Sequence, residues 1–218
     1  SAYEGADEFG IEADPAGALQ WRKGNDVFYW AGEALGWRGL RDKLWLFEAT
    51  LSFDEGREES SSDMGYLQGL GDGDESTELV LQARRAFDDN WGYWLDGRLV
   101  TGDNGTLGLL ALGRRFGERN DGSGHELALA WVYHDSDYAN KDFGINATQS
   151  AASGLAETTL NGGFRSVGLN YNYRHYIDDK WQIFGEMVYE QYMGDIKDSP
   201  ITRNDFEAEV GIGFIYLF

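Results

Sequence analysis

The fold class is decided by the C-terminal stretch Phe206-Glu207-Ala208-Glu209-Val210-Gly211-Ile212-Gly213-Phe214-Ile215-Tyr216-Leu217-Phe218. Its even positions carry apolar and aromatic side chains, whereas its odd positions begin with two glutamates and two glycines. Successive side chains of a β-strand point to opposite faces of the sheet. The stretch therefore predicts a strand with one continuous apolar face and one acidic face. A final strand that ends on an aromatic residue is typical of outer-membrane barrels, and we interpret Phe218 as their assembly signal.

The same alternation recurs upstream in residues 93–100, 126–133 and 166–174. In each segment large apolar residues occupy every second position, and the polar face keeps its charges. Candidate strands of about 9 to 13 residues have the length that a tilted strand needs to cross a bilayer. These segments predict several membrane-spanning strands.

Connections of two kinds separate the candidate strands. Short turns are predicted at 38–41, 88–90 and 178–180, and long polar loops at 54–76, 135–164 and 194–205. In bacterial barrels short turns face the periplasm and long loops face the outside. We count about ten strands from Pro15 onward. If residues 1–14 are the remnant of another strand, the alternative count is twelve.

These patterns predict a single all-β domain over residues 1–218, an antiparallel transmembrane up-and-down β-barrel. The alternative is a soluble antiparallel barrel or sandwich, in which the apolar faces would meet each other. Aromatic residues favour the membrane barrel, because Trp and Tyr fall mostly near candidate strand ends or on outward faces, where interfacial aromatics belong.

Composition excludes several function classes. Lys and Arg number 18 against 38 Asp and Glu, so the formal net charge of -20 does not suit binding to nucleic acid. The absence of Cys excludes thiol nucleophiles, iron-sulfur clusters and Cys-ligated zinc. The acidic loop 54–76 offers oxygen ligands but lacks the full spacing of a calcium loop. No metal site is predicted, and divalent-cation binding by this loop is the alternative. No cofactor is predicted either.

Catalysis is not expected. The chain has 3 His, and His134 with Ser136 is the only local pair of a histidine with a hydroxyl group. A hydrolytic triad also needs an acid that orients the histidine, and none is apparent. The sequence therefore predicts a protein that is not an enzyme.

Five segments carry a family resemblance. They are Tyr3-Glu4-Gly5-Ala6-Asp7, Phe143-Gly144-Ile145-Asn146-Ala147-Thr148-Gln149-Ser150-Ala151-Ala152-Ser153-Gly154-Leu155, Leu169-Asn170-Tyr171-Asn172-Tyr173-Arg174-His175-Tyr176-Ile177, Met193-Gly194-Asp195-Ile196-Lys197-Asp198-Ser199-Pro200-Ile201 and the terminal strand. They resemble the MipA/OmpV family of outer-membrane proteins. The resemblance implies a location in the outer membrane of a Gram-negative bacterium, among phospholipid and lipopolysaccharide. It also implies a scaffold role, with a lytic transglycosylase or another peptidoglycan enzyme as partner. Other relatives are described as adhesins or as uptake routes for antibiotics.

Charged residues on the polar strand faces are predicted to point into the barrel. A barrel of about ten strands is largely filled by side chains, so we expect these residues to pair with one another. Because acidic groups outnumber basic ones, a narrow cation-preferring path is the alternative. The predicted network comprises Glu33, Arg84, Asp96, Arg98, Arg174, Glu186, Glu190, Glu207 and Glu209.

Two loop segments are predicted to form a plug or a docking surface at the barrel mouth. The small residues of 143–155 suggest a compact loop. The predicted residues are Phe143, Gly144, Gln149, Ser150, Ser153, Asp198, Ser199 and Pro200. The expected function is that of a non-enzymatic scaffold, and the alternative is a narrow porin-like channel for small solutes or cationic antibiotics.

Overall fold

The structure is a computed structural model that describes residues 18–54, 56–61, 65–73, 75–117 and 122–216. These residues form eleven strands and two short α-helices. The strands are β1 (Ala18–Lys23), β2 (Asp26–Ala31), β3 (Ala34–Arg41), β4 (Trp45–Asp54), β5 (Ser76–Ala86), β6 (Tyr93–Gly102), β7 (Gly105–Phe116), β8 (Gly124–His134), β9 (Gly163–Tyr176), β10 (Trp181–Tyr192) and β11 (Phe206–Tyr216). The helices are α1 (Ser136–Phe143) and α2 (Ala147–Ser153), and 3₁₀ turns cover Glu59–Ser61 and Gly194–Asp198.

All eleven strands belong to one sheet, in which each strand pairs antiparallel with its neighbours in the chain. The predicted all-β, up-and-down antiparallel class is confirmed, and the sheet is compatible with a barrel. Within the described residues the sheet is not closed, so β1 and β11 are its edges. Because eleven is odd, these two edge strands run in the same direction.

The strand count differs from the expected ten because residues 27–37 form two strands. Gly32 and Glu33 make a tight turn between β2 and β3, and Gly32 adopts a φ of 53°. Tight hairpin turns need such positive φ values, which glycine adopts without steric cost. The turn predicted at 38–41 is also wrong, because those residues belong to β3 and the turn follows at Asp42. The proposed remnant strand in 1–14 and the terminal Phe218 lie outside the described residues.

The two faces of the sheet differ as strand alternation requires. On β11, Val210, Ile212 and Phe214 are 72%, 77% and 66% exposed. Exposed Leu79 and Leu81 likewise alternate with less exposed neighbours on β5. A large exposed apolar surface of this kind marks contact with a membrane or another apolar partner. We call this face outward and the opposite face inward.

No helix in the described part of the chain is long and apolar enough to cross a membrane.

At three positions on the inward face, a glycine lies opposite an aromatic residue of the neighbouring strand. The three cross-strand pairs are Gly36 with Tyr29, Gly113 with Trp94, and Gly213 with Phe184. A Cβ atom at Gly113 would lie only 2.0 Å from a ring carbon of Trp94. The bare glycine backbone therefore provides the space into which each ring folds.

Three long loops pack together at one end of the sheet, on its inward side. Their shared apolar cluster contains Leu67 and Leu70 from the β4–β5 loop, Ala139, Phe143, Ile145 and Leu160 from the β8–β9 loop, and Ile196 and Ile201 from the β10–β11 loop. Tyr192, at the end of β10, belongs to the same cluster and meets Phe143 edge to face at 5.9 Å. We call this assembly the cap.

Replacing Gly113 by Val is expected to lower the free energy of unfolding by about 2 kcal/mol, because the new side chain displaces the Trp94 ring. Thermal unfolding in detergent micelles measures the effect. Gly108→Ala on the same strand is the control, since no atom lies within 4 Å of its added Cβ. Equal stability of the two variants would contradict the packing role of Gly113.

Candidate functional site

A network of ion pairs crosses the inward face near the short turns. Arg84 Nε on β5 donates to Asp96 Oδ2 on β6 at 2.7 Å, and Gln82 Nε2 donates to the same oxygen. Asp96 is only 2% exposed. A buried carboxylate is costly unless it is paired and hydrogen-bonded. The two donors compensate Oδ2, whereas Oδ1 accepts no hydrogen bond from the described residues.

The same network extends to β7 and β8 through Glu126. Arg84 Nη1 lies 3.7 Å from Glu126 Oε1, and Arg115 Nε donates to Glu126 Oε2 at 2.9 Å. The Arg84 guanidinium also lies 3.9 Å from the centre of the Trp94 ring. Arg84 on β5 therefore contacts residues of β6 and β8, and Glu126 extends the network to Arg115 on β7.

A second group of charges lies on β3 and β4. Glu48 accepts two hydrogen bonds from the Arg38 guanidinium, at 2.7 and 3.1 Å, and a third from the Tyr29 hydroxyl. The sequence analysis did not single out Tyr29, Arg38 and Glu48, although strand alternation places their side chains inward. Their pairing could not be predicted, because partners can be named only when the strand register is known. In that register Glu48 lies opposite Gln82, and Gln82 lies opposite Arg98.

The remaining predicted lumen residues lie on β9, β10 and β11. Glu190 and Glu207 are directly opposite each other. Their repulsion is moderated because Arg165 Nε lies 3.5 Å from Glu190, and the Tyr192 hydroxyl donates to Glu207 at 2.6 Å. Glu186 and Glu209 share the same inward face, opposite Asn172 and Val188.

Arg174 lies elsewhere, at the short-turn end. It lines a cavity of about 420 Å³ together with Arg84, Arg115 and Glu126. Glu33 requires a correction, because it lies exposed in the β2–β3 turn and not on the inward face of a strand. The predicted residues therefore form separate groups and not one continuous network.

The cap contains all the predicted loop residues. Hydrogen bonds tie its three loops together: Ser199 Oγ donates to the carbonyl of Phe143 at 2.6 Å, and Gln149 Nε2 donates to the carbonyl of Leu70 at 2.8 Å. The Tyr66 hydroxyl donates to the carbonyl of Pro200 at 2.7 Å.

Within the cap, Ser150 and Ser153 bond to carbonyl oxygens of their own loop. The amide of Gly144 donates to the carbonyl of Asn140 at 3.1 Å, which closes α1. Asp198 is exposed at the end of a 3₁₀ turn. The predicted plug residues therefore hold the cap together, with the exception of Asp198.

Arg165 joins the cap to the sheet. A register shift between Val132 and Tyr133 marks a bulge, so Arg165 and Ser166 are both buried although they are consecutive. The Arg165 guanidinium lies 5.6 Å from the centre of the Phe143 ring and 5.9 Å from that of Tyr192. An extra residue in one strand is the usual means of redirecting a side chain.

Charged groups position helix α1 within the cap. Burial opposes the charge of Lys141, but its hydrogen bond to Asp54 and the nearby carboxylates of Asp142 and Glu78 outweigh burial and raise its pKa. Burial likewise opposes the charge of Asp135, yet the Tyr138 amide that it caps and further hydrogen bonds lower its pKa. Both groups are therefore held in their charged forms.

Metal-ligating groups and histidines were among the residues considered for catalysis in the sequence. Among them no group of three His, Cys, Asp or Glu residues could hold a metal ion. His134 is buried at the end of β8. The chemistry of the inward face is that of ion pairs and hydrogen bonds.

Replacing Asp96 by Asn is expected to lower the free energy of unfolding by about 3 kcal/mol, because Arg84 then lacks its closest charge partner. Urea titration in detergent micelles measures the loss. The exposed Asp179→Asn is the control and should change stability little. If both variants unfold alike, the Arg84–Asp96 pair does not stabilise the sheet.

The sequence of the chain is similar to those of known proteins. The chain is similar to "Outer membrane protein Omp26La" of Vibrio anguillarum, with 31% identity over 86 residues, which covers 39% of this chain and 33% of that protein. No solved structure matches. The family model described as "MltA-interacting protein MipA" matches residues 1–218. The predicted family resemblance and outer-membrane location are confirmed, and the chain belongs to the MipA family of outer-membrane proteins.

Proposed function

We propose that this protein is a non-enzymatic scaffold that binds a peptidoglycan-remodelling enzyme at the outer membrane. The description of its family names interaction with MltA, which supports a partner of the lytic transglycosylase class. The cap is the structural observation that carries the proposal. A sheet whose inward side is covered at one end suits presentation of a stable surface better than passage of solutes.

The cap is well suited to remain closed. Phe143, Ile196 and Ile201 are fully buried within it, and Ile145 is 1% exposed. Burying side chains of this size stabilises the closed arrangement by about 2 kcal/mol each. Opening the cap would also separate Arg165 from the Phe143 ring.

The turns at the other end would provide the docking surface. In bacterial barrels short turns face the periplasm, where peptidoglycan enzymes act. Asp88 and Asp178 stabilise two of these turns by accepting hydrogen bonds from backbone amides. Their neighbours Asp89 and Asp179 are exposed, as are Phe87 and Ile177. Both turns thus combine a rigid backbone with an exposed acidic and an exposed apolar side chain.

Charge reversal in these turns tests the proposal. We expect the Asp89→Lys, Asp179→Lys double variant to recover up to about fivefold less of an added lytic transglycosylase in a pull-down, because charges at an interface rim contribute modestly. Glu157→Lys, which reverses an exposed charge in the cap loops, is the control and should bind as the wild type does. If wild-type protein fails to retain any such enzyme, the scaffold proposal is wrong.

A narrow cation-preferring channel for small solutes or cationic antibiotics is the second candidate. It is favoured by the inward glutamates of β10 and β11, since rings of acidic side chains attract cations. The four residues are Glu186, Glu190, Glu207 and Glu209.

Conductance in planar bilayers distinguishes the two candidates. The scaffold proposal predicts no channel steps for the wild type, because the cap covers one end of the inward face. The Phe143→Ala variant, which lacks the central side chain of the cap, should conduct ions. The channel would instead be established by cation-selective current steps in the wild type. These steps should disappear in the Glu186→Gln, Glu190→Gln, Glu209→Gln triple variant and persist in the Glu157→Gln control.

A further inference from the structure

Two consecutive arginine pairs occupy the short-turn ends of β5 and β7. They are Arg84-Arg85 and Arg114-Arg115. Strand alternation sends Arg84 and Arg115 inward, where they pair with Asp96 and Glu126. Arg85 and Arg114 are therefore directed to the outward face, and both are exposed.

Each outward guanidinium lies over an aromatic ring of the adjacent strand. Arg85 lies 5.3 Å from the ring centre of its cross-strand partner Trp45, and Arg114 lies 5.2 Å from that of its partner Tyr93. In the β9–β10 turn, the Lys180 ammonium lies 5.8 Å from the Tyr216 ring. A cation held over a ring face is oriented by that contact.

The outward cations have no acidic partner among the described residues. No carboxylate of those residues lies within 4.0 Å of the Arg85 or Arg114 guanidinium, in contrast to Arg84 and Arg115. An arginine oriented by an aromatic ring but without a carboxylate keeps its N–H donors for an external anion. Guanidinium groups match phosphate geometry particularly well.

The cations lie at the edge of the apolar surface. Along β5 the exposed residues farther from the short turns are Leu81 and Leu79, and along β7 they are Leu112 and Leu110. In an outer-membrane protein this apolar surface contacts acyl chains, so its edge meets lipid headgroups. Aromatic residues are enriched at the same level. A ligand that contacts these arginines and the adjoining leucines therefore combines an anionic group with an apolar chain.

We propose that Arg85 and Arg114, with Lys180, bind the phosphate groups of anionic phospholipids in the leaflet at the short-turn end. The acyl chains lie against the leucines of β5 and β7, while the headgroup phosphate accepts hydrogen bonds from the guanidinium. This inference rests on the outer-membrane location and does not depend on the proposed scaffold role.

Native mass spectrometry of the purified full-length chain tests the proposal. Phosphatidylglycerol and phosphatidylcholine are titrated separately into the detergent-solubilised protein. The wild type should prefer phosphatidylglycerol. Arg85→Gln and Arg114→Gln should each weaken that preference about fivefold, because a basic residue at a membrane surface contributes roughly that factor.

Two further variants control the experiment. Arg115→Gln removes an inward arginine next to Arg114 and should keep the wild-type preference. The Arg85→Lys, Arg114→Lys double variant retains both charges and should keep most of the preference for phosphatidylglycerol. It thus distinguishes the effect of the charges from that of the packing of the arginine side chains. Equal affinity of the wild type for both lipids overturns the proposal, as does an equal loss in Arg115→Gln. A third outcome also overturns the proposal: the Arg85→Gln, Arg114→Gln double variant keeps its lipid preference but binds the transglycosylase more weakly. The surface would then bind protein and not lipid.

Discussion

Register between neighbouring strands is the constraint on which the whole molecule depends. Among the described residues each strand pairs only with the strands next to it in the chain, so every face assignment follows from one continuous series of cross-strand pairs. A slip by one residue would exchange the two faces of a strand. On β5 such a slip would turn Arg84 toward the membrane and the exposed Leu79 and Leu81 toward the charged interior. The alternation of apolar and charged side chains thus penalises a slip by one residue.

Two kinds of interaction fill the inward side, and they differ between its ends. Near the short turns, ion pairs around Arg84 and Glu126 surround a polar cavity of about 420 Å³. At the opposite end, apolar side chains of three loops exclude water in the manner of a small globular core. Arg165 lies between the two regions, with a carboxylate on one side and aromatic rings on the other. The inward side is therefore polar at the short-turn end and covered by the apolar cap at the other end.

Alternation in the sequence predicts much of the strand architecture, because the face of a residue depends only on its parity. The hairpin at Gly32 escaped prediction because residues 27–37 fit the alternation poorly as one candidate strand, and the turn depends on a local backbone conformation. Partners such as Arg38 and Glu48 also escaped, since parity does not reveal which residues lie opposite each other. The cap was the least predictable part. Its contacts join residues far apart in the chain, such as Tyr66 and Pro200.

The strands differ in length around the sheet, and this has a consequence for the surrounding lipid. β2 has 6 residues, whereas β9 has 14. Fully extended, six residues reach only about 20 Å, and a transmembrane strand needs about 9 to 11 residues. A bilayer that meets a short hydrophobic wall becomes thinner beside it. We therefore expect the bilayer beside β2 to be thinner than the bilayer beside β9.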